Sequence, residues 1–427
     1  MNISVQTQAV LLLTAYFTKP IKDDPRPLTP TEWGRFALWL KEKGSSPGDL
    51  LSGDPTMLLT GWADNKVTLD RIRFLLGRAG AFGLALEKWQ RAGLWVLTRS
   101  DADYPACLKK HLKTDSPPVL FGCGNRNLLN KGGIAVIGSR DATADDLAFT
   151  TRFGKSAADQ GFSIISGGAR GVDETAMLGA LEREGTAVGV LSDSLLRSAT
   201  SSKYSKALLA NNLVLISSFY PEAGFDVGNA MARNKYIYCL SDAAIVISSS
   251  KGKGGTWNGA LENLKNRWVP LWVKPVQEKS SGNAELVNQG ARWLPEDIDL
   301  ASLIEKGPSG DIEVVGNLPA EDSEETGDLF SFVGYDPPTK VNHVREPLAL
   351  LKSAMPTEMK ITSDDVGSFY SLFLRRMNIL SAKGPMTMED LLGHLDVNKS
   401  QLNDWLKRAL SEGEIMKFSK PVRYKKV

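Results

Sequence analysis

Between residues 132 and 273 the chain alternates short, continuously apolar runs with amphipathic stretches, and this rhythm restricts the fold more than any other feature. The apolar runs occupy residues 134–137, 162–165, 187–191, 213–216, 243–248 and 269–273. Helical patterns fill 145–160, 174–183, 202–210 and 257–266. A strand that is apolar at every position is buried on both faces, and strands separated by helices return to the same end of a sheet. The expected fold class is therefore α/β: a Rossmann-like parallel sheet with helices on both faces.

In such a sheet ligands bind beyond the carboxyl ends of the strands. Three of those ends combine small residues with donors: Gly138-Ser139-Arg140, Ser166-Gly167-Gly168-Ala169-Arg170-Gly171, and Gly252-Lys253-Gly254-Gly255-Thr256. Glycine lets backbone N–H groups approach an anion, the helix that follows adds a partial positive charge, and Ser, Thr, Arg and Lys add donors. Each loop alone is also what tight packing produces. Three on one edge favour a phosphate or nucleic-acid site. Asp173, where the second loop enters its helix, reads as a helix N-cap. A catalytic acid there has no partner carboxylate or histidine placed with it.

The remaining chemistry is mostly excluded. Cys107, Cys123 and Cys239 are odd in number and far apart, so neither a disulfide framework nor a zinc site is expected. His111, His343 and His394 are equally scattered and suggest no metal and no triad. The apolar run 9–13 lacks a basic flank and a cleavage signal, so it reads as a packed helix. Nothing approaches the ~20 apolar residues of a membrane span, and a soluble cytoplasmic protein is expected.

Net charge is +2, but residues 307–338 hold Asp311, Glu313, Glu321, Asp322, Glu324, Glu325, Asp328 and Asp336 without a Lys or Arg, which leaves +10 on the rest. A basic body beside an acidic insert suits a polyanion binder. The insert itself reads as a solvated linker over 306–345. Its Leu329-Phe330-Ser331-Phe332 run also allows a segment that imitates a nucleic-acid strand or docks on a partner.

Four parts follow: a helical N-terminal domain (1–95), a Rossmann-like domain (96–305), the acidic linker (306–345) and a winged-helix-like domain (346–427). In the first, Thr29-Pro30-Thr31-Glu32 forms a capping box ahead of Trp33, Phe36, Ala37 and Leu40, and 69–89 continues helical with Ile72, Leu75, Leu76 and Ala79. Periodicity does not separate a nucleic-acid module from a support domain. In the last, Thr387 caps one helix with Asp390 three residues on, and Asn398 caps the next. Leu402, Leu406 and Leu410 form a stripe, with Lys399, Gln401, Asn403, Lys407 and Arg408 off it. Residues 414–426, turning near Pro421, would make the wing. Duplex binding and a dimer or partner contact are both open for this part.

Gly138-Ser139-Arg140 followed by Ser166-Gly167-Gly168-Ala169-Arg170-Gly171-Val172-Asp173 resembles the paired G-S-R and S-G-L-A-R-G-I-D signature of the DNA-processing protein A (DprA/Smf) family. Asp103-Tyr104-Pro105 with Pro117-Pro118-Val119-Leu120-Phe121 is similar to that family's lead-in, Arg233-Asn234-Lys235-Tyr236-Ile237 to its R-N-R-I-I segment, and 255–273 to its later helix–strand unit. The resemblance covers about 100–305 and implies a homodimer that binds single-stranded DNA without catalysis, protects it and helps load a RecA-type recombinase during DNA uptake (transformation) or recombination. It implies no cofactor. By position, Ser139, Arg140, Arg170, Arg233 and Lys235 would contact phosphates, with Asn234 beside them and Lys203 or Lys206 lining the groove. Two departures stand out. Gly168 replaces the usual Leu, and the loop 251–256 is Gly-rich, resembling that of phosphoribohydrolases whose acid position is here Gly259. A nucleotide sensor acting in stress response or phage defence, without hydrolase activity, is the alternative.

Overall fold

The structure is a computed structural model that describes residues 3–276, 281–305 and 307, and, towards the C-terminus, 373–374, 377–378, 380–381, 384–394, 399–418 and 423–426. The chain divides into two units, 1–336 and 337–427.

The larger unit is built on a nine-stranded sheet. Its strands are β1 (Trp95–Thr98), β2 (Val119–Gly124), β3 (Ile134–Ile137), β4 (Ile164–Ser166), β5 (Ala187–Val190), β6 (Leu213–Ser217), β7 (Ala243–Val246), β8 (Leu271–Val273) and β9 (Arg292–Trp293), in the order β1-β2-β6-β5-β4-β3-β7-β8-β9. From β6 to β9 every neighbouring pair is parallel. The edge departs from the sequence expectation: β2 runs antiparallel to both β1 and β6. Two glycines, Gly122 and Gly124, interrupt the apolar pattern of β2 and disguise it as a turn.

Alternation along each strand divides the core in two. Ile134 and Val136 of β3 pack with Phe153, Ala157, Val172 and Met177 on one face. Ala135 and Ile137 pack with Ile237, Leu240, Ala260 and Leu286 on the other. The first core extends without a break into the N-terminal helices, where the rings of Trp89 and Phe121 meet edge to face at 5.0 Å. Burying two such rings is among the largest single contributions a residue pair makes to a core.

Those helices follow their local signals. Thr29 accepts from Glu32 N (3.3 Å) and Glu32 Oε2 accepts from Thr29 N (2.9 Å), so the helix Pro30–Glu42 starts in a complete capping box. Glu32 also pairs with Arg71 at 3.0 Å. The run Ala9 to Leu13 is fully buried in the helix Val5–Thr14. Gly77 splits the pattern over 69–89 into two helices, Leu69–Leu76 and Ala79–Arg91. A further helix, Val227–Cys239, was not visible in the sequence, because its buried positions include Arg233 and Asn234.

The second unit holds the helices Met388–His394 and Lys399–Ser411 and an antiparallel pair, β10 (Ile415–Phe418) with β11 (Arg423–Lys426). Thr387 and Asp390 cap each other, each backbone N–H reaching the other side chain at 3.1 Å. Leu391, Leu402, Leu406, Ala409, Ile415 and Tyr424 make its core, and Leu410 packs against it. Asn398, Pro421, the side chains of Lys399, Gln401, Asn403 and Lys407, and the acidic stretch 308–345 lie outside the described residues.

Candidate nucleic-acid interface

The sheet order places β3 between β4 and β7, so the three donor-rich loops leave one edge side by side. Ser139 N donates to Ser248 O at 3.2 Å and ties the first loop to the end of β7. A cavity of about 410 Å³ opens on the other side of that loop, over the carboxyl ends of β3, β4 and β5. Gly167, Gly168 and Ala169 form its base, and Arg140, Arg170 and Arg233 supply guanidinium groups. Its remaining wall is Leu191 to Ser194, Ser198 and Phe225.

The two rim arginines are solvent-facing. Arg170 is 83 % exposed, 3.8 Å from Asp141, and the Arg140 guanidinium lies 4.4 Å from the centre of the exposed Phe225 ring. Stacking of this kind leaves the N–H edge of a guanidinium free to meet an anion.

Arg233 is different. It is only 4 % exposed, and its Nε and Nη1 have no hydrogen-bond partner among the described residues. Its Nη1 is 3.8 Å from Asp173 Oδ2, beyond hydrogen-bond range. Burial pushes the Arg233 pKa down, Asp173 pulls it back up, and Arg140 adds to the downward push. Burial likewise pushes Asp173 up, against Arg233 and the backbone N–H groups of Gly138, Gly167 and Ala169. Gly167 makes the arrangement possible: a β-carbon there would stand 1.6 Å from Arg233 Nη1 and 2.3 Å from Asp173 Oδ2.

Asp173 is not the helix N-cap that the sequence suggested. That position belongs to Gly171 at φ +97°, in the left-handed region, where a β-carbon would meet Ser139 O at 2.7 Å. Asp173 sits in the first turn of the helix Val172–Glu182, where the N–H groups of Gly138, Gly167 and Ala169 in the first two loops favour its charged form. Its carboxylate, with Glu174 beside it, offsets the positive end of that helix. The positive character of the cavity therefore comes from arginines more than from the helix terminus.

The other residues expected at the site are dispersed around it. Lys203 pairs with Glu174, Lys206 is exposed, and Lys235 is half-buried with its Nζ 5.6 Å from the Tyr236 ring centre. Ser166 Oγ is turned inward and donates to Val136 O at 2.6 Å, while Ser139 Oγ accepts from Asp141 N at 3.1 Å. Lys253, Gly254, Gly255 and Thr256 do not line the cavity. Their loop starts the helix Gly255–Asn266 on the β7 side, where Asn234 Nδ2 donates to Gly255 O at 3.0 Å.

Sequence reasoning overlooked the wall after β5. Ser192, Asp193 and Ser194 carry no glycine signature, although the rule about strand ends applies to β5 as well. Ser194 is held at φ +52°, its N–H donating to Ala223 O at 2.9 Å, so this wall is fixed to the loop ahead of Phe225. Gly259 is buried, and a β-carbon there would lie 3.3 Å from both Asn234 and Tyr238. Among the described residues no three His, Cys, Asp or Glu side chains are grouped to hold a metal, and no helix is long and apolar enough to cross a membrane.

Residues 95–305 match the family model described as DNA recombination-mediator protein A. The DNA processing protein DprA of Bacillus subtilis is 28 % identical over 268 residues, covering 59 % of this chain and 89 % of that protein. Protein Smf of Synechocystis is 30 % identical over 227 residues, covering 51 % of this chain and 56 % of its own length. The X-ray structure of DNA processing protein A from Streptococcus pneumoniae shares the fold, with a TM-score of 0.51 at 20 % identity over 69 % of this chain and 95 % of that one. The domain that carries the arginine-lined cavity, residues 95–305, is of the DNA-processing protein A (DprA/Smf) family.

Proposed function

We propose that the protein binds single-stranded DNA across this cavity, with backbone phosphates held by Arg140 and Arg170 at the rim and by Arg233 at the floor. The observation that carries the reading is Arg233: a buried guanidinium lining a cavity, with two nitrogens lacking a hydrogen-bond partner. A buried unpaired donor is costly, and a phosphate oxygen is the acceptor that best repays it. The recess favours a strand over a duplex. The phosphates of a double helix lie on a convex, stiff surface, whereas a single strand bends and inserts one unit at a time.

The domain's membership of the DprA/Smf family supports the finer reading: a homodimer that protects strands and helps load a RecA-type recombinase during DNA uptake or recombination. No catalytic step belongs to it. Gly259 is packed against Asn234 and Tyr238 where the hydrolase-like enzymes carry their acid.

Fluorescence anisotropy with matched single-stranded and duplex oligonucleotides tests the core of this. Single strands are expected to bind more tightly, with affinity falling as salt rises because phosphate contacts release counterions. Equal affinity for both forms at matched salt, or none for either, would refute it. Light scattering reports the dimer, and strand-exchange assays with a RecA-type protein report the loading.

A further inference from the structure

Almost every polar side chain lining the cavity can donate a hydrogen bond: three arginines and three serines face it. Asp193 is the exception. It is the one carboxylate among the lining residues, half-buried, and it accepts from Ser192 Oγ at 2.9 Å. It forms no ion pair within 4.0 Å among the described residues, although it lies close enough to Arg233 to act on its charge. An ionised carboxylate offers about four acceptor sites and no donor, so its remaining capacity is open to the cavity.

The placement is unfavourable for a site that holds phosphate alone. An acid beside the floor arginine weakens the attraction for every anion that enters. It is also held firmly: Ser192 orients the carboxylate, and the neighbouring Ser194 keeps a left-handed backbone conformation that a non-glycine residue adopts only at a cost. What such a group can recognise is a donor carried next to a phosphate. On a DNA strand the sugar supplies none, and the donors belong to the base edges. Thymine offers a single N–H flanked by two carbonyl oxygens, which a carboxylate repels. Guanine offers adjacent N–H groups that match the two oxygens of a carboxylate.

We propose that Asp193 is a specificity-determining residue that accepts from the base edge of the nucleotide seated in the cavity, giving the site a preference for guanine over thymine. The inference rests on the strand-binding reading above and adds a sequence preference to it. Phosphates supply affinity at Arg140, Arg170 and Arg233, and Asp193 sorts the base.

The test compares Kd for a short oligothymidine strand, an alternating thymidine–guanosine strand of equal length, and an oligouridine strand. Each is measured with the wild-type protein and with Asp193→Asn. The wild type is expected to favour the guanine-bearing strand by about tenfold, the lower end of what a bidentate base contact provides. Asp193→Asn should reduce that preference to less than about threefold while oligothymidine binding holds or tightens, since a negative charge has left the cavity. Uniform tightening of all three strands would overturn the proposal and leave Asp193 as a charge modulator. Equal wild-type affinity for the two DNA strands would also overturn it, while leaving strand binding intact. A preference for oligouridine over oligothymidine that Asp193→Asn removes would place the donor on the sugar and refute base reading. If none of the strands binds the wild type, both the strand-binding reading and this inference fall.

Discussion

Arg233 Nη1 and Asp173 Oδ2 lie 3.8 Å apart, both side chains more than nine-tenths buried, and a β-carbon at Gly167 would overlap both groups. The pair is held by its surroundings as much as by mutual attraction. The backbone N–H groups of Gly138, Gly167 and Ala169 favour the charged carboxylate against its burial, and the guanidinium fits because Gly167 has no side chain. Gly167→Ala is therefore expected to displace Arg233 and cost about 1–3 kcal/mol, as overpacking does. Asp173→Ala should cost more, about 3–5 kcal/mol, because it leaves a buried charge without its partner. Urea unfolding monitored by tryptophan fluorescence measures both.

The rim arginines should behave in the opposite way. Arg140→Ala and Arg170→Ala remove exposed heads and should change stability by no more than about 0.5 kcal/mol. Each should weaken strand binding by about 1.5–3 kcal/mol, roughly ten- to a hundredfold, the worth of a hydrogen bond to a charged group. Lysine should rescue only part of this, since it keeps the charge and loses the planar fork. Normal binding by both alanine variants, in folded protein, would remove the cavity from the strand path.

Glu174 offers a gain-of-function check. It pairs with Lys203 near the second loop, and the pair is partly exposed. Glu174→Gln frees a cation beside the cavity and should tighten strand binding by up to about threefold, steepening the salt dependence by about one phosphate contact. An unchanged slope would place Lys203 outside the strand path.

Acid sensitivity provides a separate test of the N-terminal helices. Backbone N–H of Val67, then Arg35 and Lys66 N–H, pull the Asp64 pKa down from 3.8 to about 2. Its folded-state pKa lies below the unfolded value, so its contribution is complete above pH about 4 and disappears as pH falls towards 2. The difference in urea midpoint between wild type and Asp64→Ala should be flat above pH about 4 and shrink below it. A difference undiminished at pH about 2 would show that Asp64 acts through packing and not through charge.

The parallel sheet was legible because its strands are apolar on both faces, a pattern that few other arrangements produce. The antiparallel edge was not, since Gly122 and Gly124 break the apolar run of β2. Arg140 and Arg170 could be placed at the rim from their position after strand-end glycines. Arg233 could be assigned to phosphate contact only through family resemblance, and nothing local foretold its burial on the helix Val227–Cys239. The misreading of Asp173 has a plain cause. An acid at a loop–helix junction usually caps its own helix, but here Gly171 takes that position and Asp173 lies within the first turn, paired electrostatically with the buried Arg233. Asp193 escaped notice because an anion site is sought through its donors. A lone acceptor carries no such signal.

The cavity joins a floor rooted in the protein interior to a rim carried on exposed loops, and this has a consequence for variant libraries. A deep mutational scan that scores both cellular abundance and ligand capture should separate the two layers. Changes at Gly167, Asp173 and Arg233 should fall along the diagonal, losing capture together with abundance. Changes at Arg140, Arg170 and Phe225 should leave that diagonal, keeping abundance and losing capture alone. Adaptation of the protein to a new strand or partner is thus open at the rim, where each substitution is judged on recognition only, and closed at the floor, where the same step must first survive folding.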